Sequence, residues 1–408
     1  MDSKKTGLKM EEVISNFFDS KFSFPLSFKN PKAKDSKAEV SDIILWLNRK
    51  LFLIEIKTKE DSKSTIELWI KRRLEKAIDQ IVTNYNRIMK HEKIVLHNDY
   101  FNTFLDTIEI KQIIGLIILV YDENCDLLPS NLVPHIYKQE LQIHALSWND
   151  LKNMTDEIDT IPDLIYYLND RNIYLNKTGS DLPLGKELNL LGLYKLNNNN
   201  IPERNDLYKA DYWIQYTNTK KDSISKRSNH NKYSIMIDKL LEGILGTTNL
   251  RRLNGNYLPI GLYYIWELSQ LSRRERSLWG EHALNALEKF YYDKNRIEKH
   301  FAMQSESTQN WFVFYFSKED PNTTEKKLEE LIKLKLIVAI EEDFFEFACF
   351  GVGYCISPTQ KSFQEIFYIV RGVDSIKNNY TKSDIELARK KFQSSKNIKS
   401  IKIEEFPN

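Results

Sequence analysis

Cysteine is scarce in this 408-residue sequence, and the motifs of histidine-based and serine-based catalysis are missing. Cys125, Cys349 and Cys355 form neither an even disulfide framework nor a CxxC metal knuckle, which is typical of a reducing compartment. None of the seven histidines lies in an HExxH pattern, and no GxSxG motif occurs. These absences argue against a zinc site and against a serine hydrolase. The three cysteines are therefore expected to serve as small, buried hydrophobic residues.

Long apolar segments are missing too. The longest, residues 113–120, has the length of a buried strand, whereas a transmembrane helix needs about 20 apolar residues. The first residues lack the apolar stretch of a signal peptide. We therefore expect a cytoplasmic protein that does not act at a membrane.

The composition is that of an ordinary globular protein. Hydrophobic residues make up 41% of the chain and charged residues 28%, and the formal net charge is only +2, so bulk charge says little about partners. A single core seldom grows beyond about 250–300 residues, which predicts two domains. Residues 176–186 collect Gly, Pro, Ser and Asp like a linker, so we expect the domains at 1–178 and 187–408.

Hydrophobic periodicity predicts an α/β protein in both halves. In the first half it predicts an opening helix, a β-hairpin, a long helix and two buried strands, at residues 9–18, 40–56, 64–90, 113–121 and 142–146. Ser64 or Thr65 is expected to cap the long helix, with Glu67 in capping-box position. In the second half it predicts helices at residues 233–245, 281–292 and 324–333, and strands at residues 311–316 and 345–356.

The hairpin carries the residues that point to chemistry. The tripeptide Glu-x-Lys occurs at Glu55, Glu109 and Glu325, so by itself it proves nothing. Only Glu55 and Lys57 end a hydrophobic strand and have an acid, Asp42, on the strand before them. The setting, and not the tripeptide, makes this a candidate site.

Hairpin geometry sharpens the prediction. A two-residue turn at residues 48–49 would pair Asp42 with Glu55, and directly opposed residues share a face with Cβ atoms about 4.5–5.5 Å apart. Lys57 lies two residues beyond Glu55 and therefore on the same face. The opposite face is uniformly apolar: Ile43, Leu45, Leu47, Phe52, Ile54 and Ile56. A three-residue loop would break this pairing.

Two carboxylates this close repel each other and are costly to bury without a cation, so the arrangement predicts a bound metal. Mg²⁺ prefers hard oxygen ligands, which Asp42, Glu55 and the carbonyl of Ile56 would supply. Lys57 would orient the attacking water or stabilise the transition state. The alternative is a cross-strand charge cluster on an exposed face of the sheet.

The run Ser41-Asp42, twelve intervening residues, then Glu55-Ile56-Lys57 resembles the PD-(D/E)xK, or restriction-endonuclease-like, nuclease superfamily, with Ser41 in place of the motif's proline. The resemblance covers about residues 5–150. It implies a mixed β-sheet flanked by helices, followed here by a second mixed α/β domain. It also nominates Glu11, with Glu12 in reserve, as an acid from the opening helix, and Gln80 from the long helix.

The activity that this resemblance implies is Mg²⁺-dependent endonucleolytic cleavage, with Mn²⁺ as a substitute, and we favour DNA over RNA. Restriction or antiviral defence is the biological context that the resemblance suggests. Two alternatives stay open. One is a catalytically silent nuclease-like module that binds nucleic acid or protein, and the other is a regulatory or structural protein whose hairpin charges are solvated.

The second half shows no catalytic motif and is expected to serve target recognition, regulation or assembly, through a partner protein or a homo-oligomer. Residues 217–232 read as a polar loop in which Lys220, Lys221, Lys226 and Arg227 could follow a phosphate backbone. A flexible, solvated loop explains these four residues equally well. The aromatic run at residues 311–316 is predicted to be a core strand and not a base-stacking surface.

Overall fold

The structure is a computed structural model. It describes residues 3–19, 26–35, 37–47, 49–59, 64–99, 102–105, 107–108, 110–122, 129, 141–178, 184–202, 210–246, 260–306, 308–341, 348–356, 363–372, 375 and 380–392. The chain divides into two compact units, Met1–Ser225 and Lys226–Asn408.

The division between the units differs from the predicted boundary, because residues after 186 remain attached to the first unit. The helix that contains Arg171 runs through Thr178, into the predicted linker. The Arg171 Nε atom donates to Glu187 Oε1 at 2.8 Å, and both side chains are buried. Tyr167 donates a second hydrogen bond to the same oxygen. A buried ion pair of this kind ties residues 187–225 to the preceding helix.

The first unit is mixed α/β, as its sequence predicts. Its helices are α1 (Ser3–Phe18), α2 (Ile66–Met89), α3 (Trp148–Met154), α4 (Ile161–Thr178), α5 (Glu187–Leu196), α6 (Tyr212–Thr219) and the start of α7 (Lys221–Asn231). Its strands are β1 (Ser27–Lys29), β2 (Lys32–Ala33), β3 (Ile43–Leu47), β4 (Lys50–Thr58), β5 (Ile94–His97), β6 (Asn102–Phe104), β7 (Gln112–Val120) and β8 (Gln142–Ser147).

Two sheets organise this unit. The larger has the strand order β1-β3-β4-β7-β8, in which β1, β3 and β4 pair antiparallel while β4, β7 and β8 pair parallel. The smaller sheet, β2-β5-β6, is antiparallel. The larger sheet holds the candidate residues, and the smaller one lies next to them in sequence and in space.

The predicted hairpin register is confirmed. Leu47 pairs with Lys50 and Ile43 with Ile54, which is the register that a two-residue turn produces. The predicted apolar face is buried at all six of its positions. Since side chains alternate along a strand, the opposite face of β4 carries Glu55 and Lys57.

Helix α2 covers the sheet face that carries Glu55 and Lys57. Gly115 of β7 is in register with Leu53, and a Cβ atom at residue 115 would lie 2.8 Å from Ile81 Cγ2. At the other end of the helix, the rings of Trp69 and Tyr121 are 6.3 Å apart. The stretch from residue 81 to 69 spans about 18 Å of helix, and that from 115 to 121 about 20 Å of strand. The helix therefore runs antiparallel to β4 and β7, directly over the face of interest.

The cap of α2 differs in one respect from the prediction. Thr65 is the N-cap, and its side chain accepts a hydrogen bond from the backbone N–H of Leu68. With Thr65 as N-cap, Leu68 and not Glu67 occupies the third helical position, so the predicted capping box at Glu67 does not form. Ser147 is the N-cap of α3, since its hydroxyl accepts a hydrogen bond from the Asp150 N–H at 3.0 Å.

The second unit is a four-stranded sheet between two layers of helices. Its helices are α8 (Ile235–Gly246), α9 (Ile260–Ser269), α10 (Arg273–Tyr292), α11 (Pro321–Glu341) and α12 (Lys382–Phe392). Its strands are β9 (Glu298–Gln304), β10 (Trp311–Ser317), β11 (Ala348–Ile356) and β12 (Phe363–Gly372), in the order β12-β11-β10-β9, and only β10 and β11 pair parallel.

The aromatic strand β10 forms the core of this unit, which confirms its prediction. Phe312 and Phe314 pack edge-on against Trp279 of α10, while Val313 and Tyr315 join the core formed with α11 and α12. Alternate residues of β10 thus pack against the helical layers on the two faces of the sheet. The strand lies too deep in the unit to stack on a base.

We expect Gly280→Ala to destabilise the second unit by at least about 1–3 kcal/mol, the usual cost of overpacking. A Cβ atom at residue 280 would lie 1.9 Å from the Tyr233 carbonyl oxygen, a backbone atom that cannot move aside cheaply. Gly372→Ala is the matched control, because a Cβ there meets nothing within 4 Å. Urea unfolding should separate the two variants, and equal midpoints would contradict the close packing of α10 on Tyr233.

Two further expectations concern cysteines and membranes. Cys349 and Cys355 are buried free thiols, as predicted, and burial raises the pKa of Cys349 to about 12, whereas Cys125 lies outside the described residues. Among the helices of the described part of the chain, none is long and apolar enough to cross a membrane.

Candidate active site

The end of the β3–β4 hairpin brings Asp42, Glu55 and Lys57 together, and we call these three residues the hairpin site. Lys57 Nζ donates a hydrogen bond to Glu55 Oε2 at 2.8 Å and lies 3.6 Å from Asp42 Oδ2. One ammonium group therefore interacts with two carboxylates that would otherwise repel each other. The sequence predicted this grouping from the hairpin register.

Two hydrogen bonds fix the backbone around Asp42. Ser41 Oγ donates to the Ile54 carbonyl at 2.8 Å, and the Ile56 N–H donates to Asp42 Oδ2 at 2.6 Å. Asp42 directly precedes β3, so its carboxylate extends the β3–β4 ladder by one hydrogen bond. The serine that stands in place of the motif's proline therefore has a structural role of its own, because its hydroxyl binds β4.

Burial dominates the electrostatics of Glu55, whose side chain is only 1% exposed. Burial raises the pKa of Glu55 to about 7, with a further rise from Asp42, and Lys57 opposes both effects. Asp42 and Lys57 are more open, with side chains 17% and 11% exposed. A buried carboxyl that titrates near neutral pH beside a second carboxylate is a typical property of functional sites.

The donor set of the hairpin site fits a magnesium ion. The N–H and the C=O of one strand residue point to the same neighbouring strand. Since the Ile56 N–H is directed at Asp42, the Ile56 carbonyl faces the same edge. Two carboxylates and a carbonyl suit Mg²⁺, which typically takes one or two carboxylates from a protein. Within the described residues, no group of three or more His, Cys, Asp or Glu side chains could hold a metal.

Glu39 is a neighbour of the hairpin site that sequence reasoning missed. Burial raises the pKa of Glu39, Asp42 raises it further, and Lys57 and Lys32 lower it, so this carboxyl lies within electrostatic reach of the site. It also adds to the raised pKa of Glu55. Glu39 lies outside the hairpin, and an isolated β-bridge to Lys32 places it. No local pattern in the sequence signals that bridge.

Gln80 lies on the hairpin side of α2. Asn84, one turn further along the helix, donates a hydrogen bond to the Val40 carbonyl, two residues before Asp42. Residues four apart share a helix face, so Gln80 is on this same side. Its Oε1 atom is buried and accepts no hydrogen bond from the described residues. Contact between Gln80 and the hairpin site stays a prediction.

Glu11 lies in a different part of its helix from the one expected. The helix begins at Ser3, about two turns before the predicted start, so Glu11 is in its interior. The attraction of an acid to the start of a helix therefore does not explain Glu11, because that effect is confined to the first turn. Helix α1 packs against β4. A role for Glu11 at the hairpin site stays a prediction.

The predicted basic loop at residues 217–232 is wrong, because these residues are helical. Lys220 is the C-cap of α6, and Lys221, Lys226 and Arg227 lie on α7. Successive residues of an α-helix turn by about 100°, so these side chains point to several sides of α7 and do not form one basic stripe. Helix α7 has no buried residue, and its polar composition is why it resembled a loop. Phosphate binding by these residues remains an untested prediction.

The raised pKa of Glu55 predicts how stability depends on pH when no metal is bound. The folded-state pKa of Glu55, about 7, exceeds the ordinary value of 4.5. The stabilising contribution of the protonated Glu55 side chain is therefore complete below pH 4.5 and is lost as the pH rises through 7. Over that window the free energy of unfolding should fall by about 3 kcal/mol relative to Glu55→Gln. Urea unfolding of both proteins in EDTA between pH 4.5 and 8 measures the difference, and parallel curves would contradict a buried, titrating Glu55.

Comparisons with models of protein families, with curated proteins and with solved structures found no match to this chain. The function of the hairpin site is therefore inferred from its geometry and from the motif that it contains.

Proposed function

We propose that the first unit is a Mg²⁺-dependent phosphodiesterase that cleaves nucleic acid, with the hairpin site as its active site. The observation that carries the proposal is the position of Lys57 Nζ, 2.8 Å from Glu55 and 3.6 Å from Asp42, at one end of a buried hairpin. Metal-dependent phosphodiester hydrolysis uses anionic metal ligands and is helped by a cation beside the phosphate, and this grouping supplies both.

Each residue has a distinct role in this proposal. Asp42, Glu55 and the Ile56 carbonyl would hold Mg²⁺. When bound, the ion would lower the pKa of its water and neutralise charge on the phosphate. Lys57 would stabilise the negative charge that builds on the phosphate, an effect strengthened by the limited solvent access of this site. Gln80 and Glu11 are proposed to orient water or substrate.

The sheet order is the second support for the proposal. An antiparallel hairpin, β3–β4, continues through a covering helix into the parallel strand β7. A mixed sheet with a flanking helix is what the resemblance to restriction-endonuclease-like nucleases implies. We infer from it an endonuclease that prefers DNA over RNA and accepts Mn²⁺ in place of Mg²⁺. We propose that this activity serves restriction or antiviral defence in the cytoplasm. The second half would choose the target, bind a partner protein or mediate self-assembly.

A substrate panel tests this function. The purified full chain, with Mg²⁺, Mn²⁺ or EDTA, is incubated with plasmid, linear duplex, single-stranded DNA and RNA. We expect cleavage with either metal and none with EDTA. Binding without cleavage under every condition would favour a silent nuclease-like module, and absence of both nucleic-acid and metal binding would favour a regulatory or structural protein.

A further inference from the structure

The small sheet β2-β5-β6 has one buried face and one open face. Ala33, Ile94 and Leu96 point to the buried face, and each is at most 3% exposed. The residues between them therefore point outward. Lys32, Val95 and Phe104 form one row across the three strands, because Lys32 pairs with Val95 and Val95 with Phe104.

The open face combines lysines with an exposed aromatic ring. We call Lys32, Lys34, Lys93 and Phe104 the lysine face. The three lysines are exposed, and Phe104 is 49% exposed. The Lys34 N–H donates to the Lys93 carbonyl at 2.8 Å, which places these two residues side by side. Lys34 Nζ lies 5.4 Å from the centre of the Phe104 ring. A half-exposed ring with an ammonium group over it is unusual on a strand, where such a ring normally packs inward.

The lysine face adjoins the hairpin site directly. Lys32 and Glu39 form an antiparallel β-bridge, and residues opposed in this way point to the same side. The carboxyl of Glu39 is within electrostatic reach of Asp42 and Lys57. The turn before β2 is bonded to the same segment, since the Asn30 N–H donates to the Asp42 carbonyl at 3.0 Å. Lys32, at one end of the lysine face, is therefore adjacent to the hairpin site.

We propose that the lysine face binds a single strand of nucleic acid and leads it to the hairpin site, with a base stacked on Phe104 and phosphates bound by the three lysines. The inference rests on the proposed function and adds to it the class of substrate. Residues 29–39 and 90–95 carry six lysines against three acids, which complements a polyanion. An exposed ring stacks most readily on an unpaired base, whose face is open, and stacking of this kind tolerates any sequence.

The dimensions of the sheet agree with this occupant. Neighbouring strands are about 4.8 Å apart, so Phe104 on β6 lies about 10 Å across the sheet from Lys32 on β2. That distance accommodates a nucleotide between a phosphate contact near the hairpin site and a base contact at the edge strand.

Binding without cleavage tests the proposal. The full chain in EDTA is titrated against a fluorescent 20-nucleotide oligo-dT and a duplex of the same length, with fluorescence anisotropy as the readout. We expect oligo-dT to bind more tightly than the duplex. Phe104→Ala should weaken oligo-dT binding about tenfold, and Phe104→Trp should preserve it, because both aromatic rings can stack.

The lysines are tested by salt dependence. Changing Lys32, Lys34 and Lys93 together to Gln should lower the slope of log affinity against log salt by about 2, since each phosphate contact on a single strand contributes about 0.7. The charge-matched control changes the exposed residues Lys326, Lys333 and Lys390 of the second unit to Gln and should leave the slope unchanged. For Phe104 the matched control is Tyr292→Ala, which removes a ring that is 74% exposed.

The outcomes separate this inference from the proposed function. Suppose that the protein cleaves nucleic acid, but Phe104→Ala and the triple lysine variant bind oligo-dT as tightly as the unchanged protein. This result would overturn the proposed role of the lysine face and leave the proposed nuclease function intact. If both variants lose oligo-dT binding and the unchanged protein cleaves no substrate with any metal, the result would support binding by the lysine face and overturn the proposed nuclease function. Tighter binding of duplex than of oligo-dT would overturn the single-strand assignment.

Discussion

Asp42→Asn, Glu55→Gln and Lys57→Ala should each lower metal-dependent cleavage by at least about 10²–10³-fold without unfolding the first unit. Removing a single preorganised group that stabilises transition-state charge has a cost of this size in other enzymes. Asparagine at residue 42 keeps an oxygen that can accept the Ile56 N–H, so this variant removes the charge and preserves the hydrogen bond. Initial rates on the best substrate of the panel, with circular dichroism as the check on folding, measure the effect.

Metal affinity separates the roles of the three residues. Asp42→Asn and Glu55→Gln should weaken Mn²⁺ binding in calorimetry, because both remove a proposed ligand. Lys57→Ala should retain the metal and lose only the rate, since an ammonium group cannot bind a cation.

Matched controls come from the other two Glu-x-Lys tripeptides. Lys111→Ala and Glu325→Ala change exposed members of those tripeptides, far in sequence from the hairpin, and should leave cleavage unchanged. Near-normal cleavage by any one of the three hairpin-site variants would falsify its assignment. Equal loss in the controls would point to a general effect on folding instead.

Arg171→Met should destabilise the first unit by about 3–5 kcal/mol, the usual cost of leaving one partner of a buried ion pair behind. Arg171 and Glu187 are 1% and 2% exposed. Burial raises the pKa of Glu187, and Arg171 is the main influence that lowers it. Without the guanidinium group, Glu187 must stay buried as an uncompensated charge or take up a proton.

The surrounding groups cannot replace Arg171. His144 Nδ1 lies 3.2 Å from the guanidinium Nη1, and burial, followed by Arg171, lowers the pKa of His144 well below its ordinary value. The imidazole is therefore neutral and accepts from Arg171. On the other side, the carboxyl group of Asp150 raises the pKa of Glu187 further, so it adds to the cost of losing the guanidinium group.

A double-mutant cycle in urea tests this prediction. Combining Arg171→Met with Glu187→Gln should recover about 1–3 kcal/mol, because the buried charge is then absent. Lys239→Met, which breaks an ion pair with Glu242 that is 70% and 58% exposed, should cost less than about 1 kcal/mol. Additive effects in the cycle would mean that Arg171 and Glu187 are not coupled. Faster hydrogen exchange confined to residues 187–196 in Arg171→Met would show that the pair fastens α5.

The hairpin site could be predicted from the sequence because every contact in it follows from local geometry. A two-residue turn sets the register, and alternation along β4 then places Glu55 and Lys57 on one face. The same holds for the apolar run in β7 and the periodic pattern of α2, where one strong local signal predicts one element.

Elements held by long-range contacts could not be predicted. Strands β1 and β2 have three and two residues, too few for a periodic pattern, and they exist because β3 and β5 pair with them. Glu39 was missed for the same reason. The sequence of helix α7 predicts a loop because it lacks the apolar face that marks a helix in a sequence. The predicted domain boundary relied on composition, which carries no information about the buried contact between Arg171 and Glu187.

The hydrogen bond between Asp42 and Ile56 has a consequence for which divalent ions the proposed site would accept. Asp42 Oδ2 is engaged by the Ile56 N–H, and Glu55 Oε2 by Lys57, so each carboxylate has one oxygen left to offer. Ca²⁺ takes six to eight oxygen ligands and often binds both oxygens of one carboxylate. Mg²⁺ has octahedral geometry and typically binds one oxygen of each carboxylate. A site in which the Ile56 N–H and the Lys57 ammonium group each occupy one carboxylate oxygen would therefore favour the smaller ion, and these two contacts would act together as a filter on ionic radius.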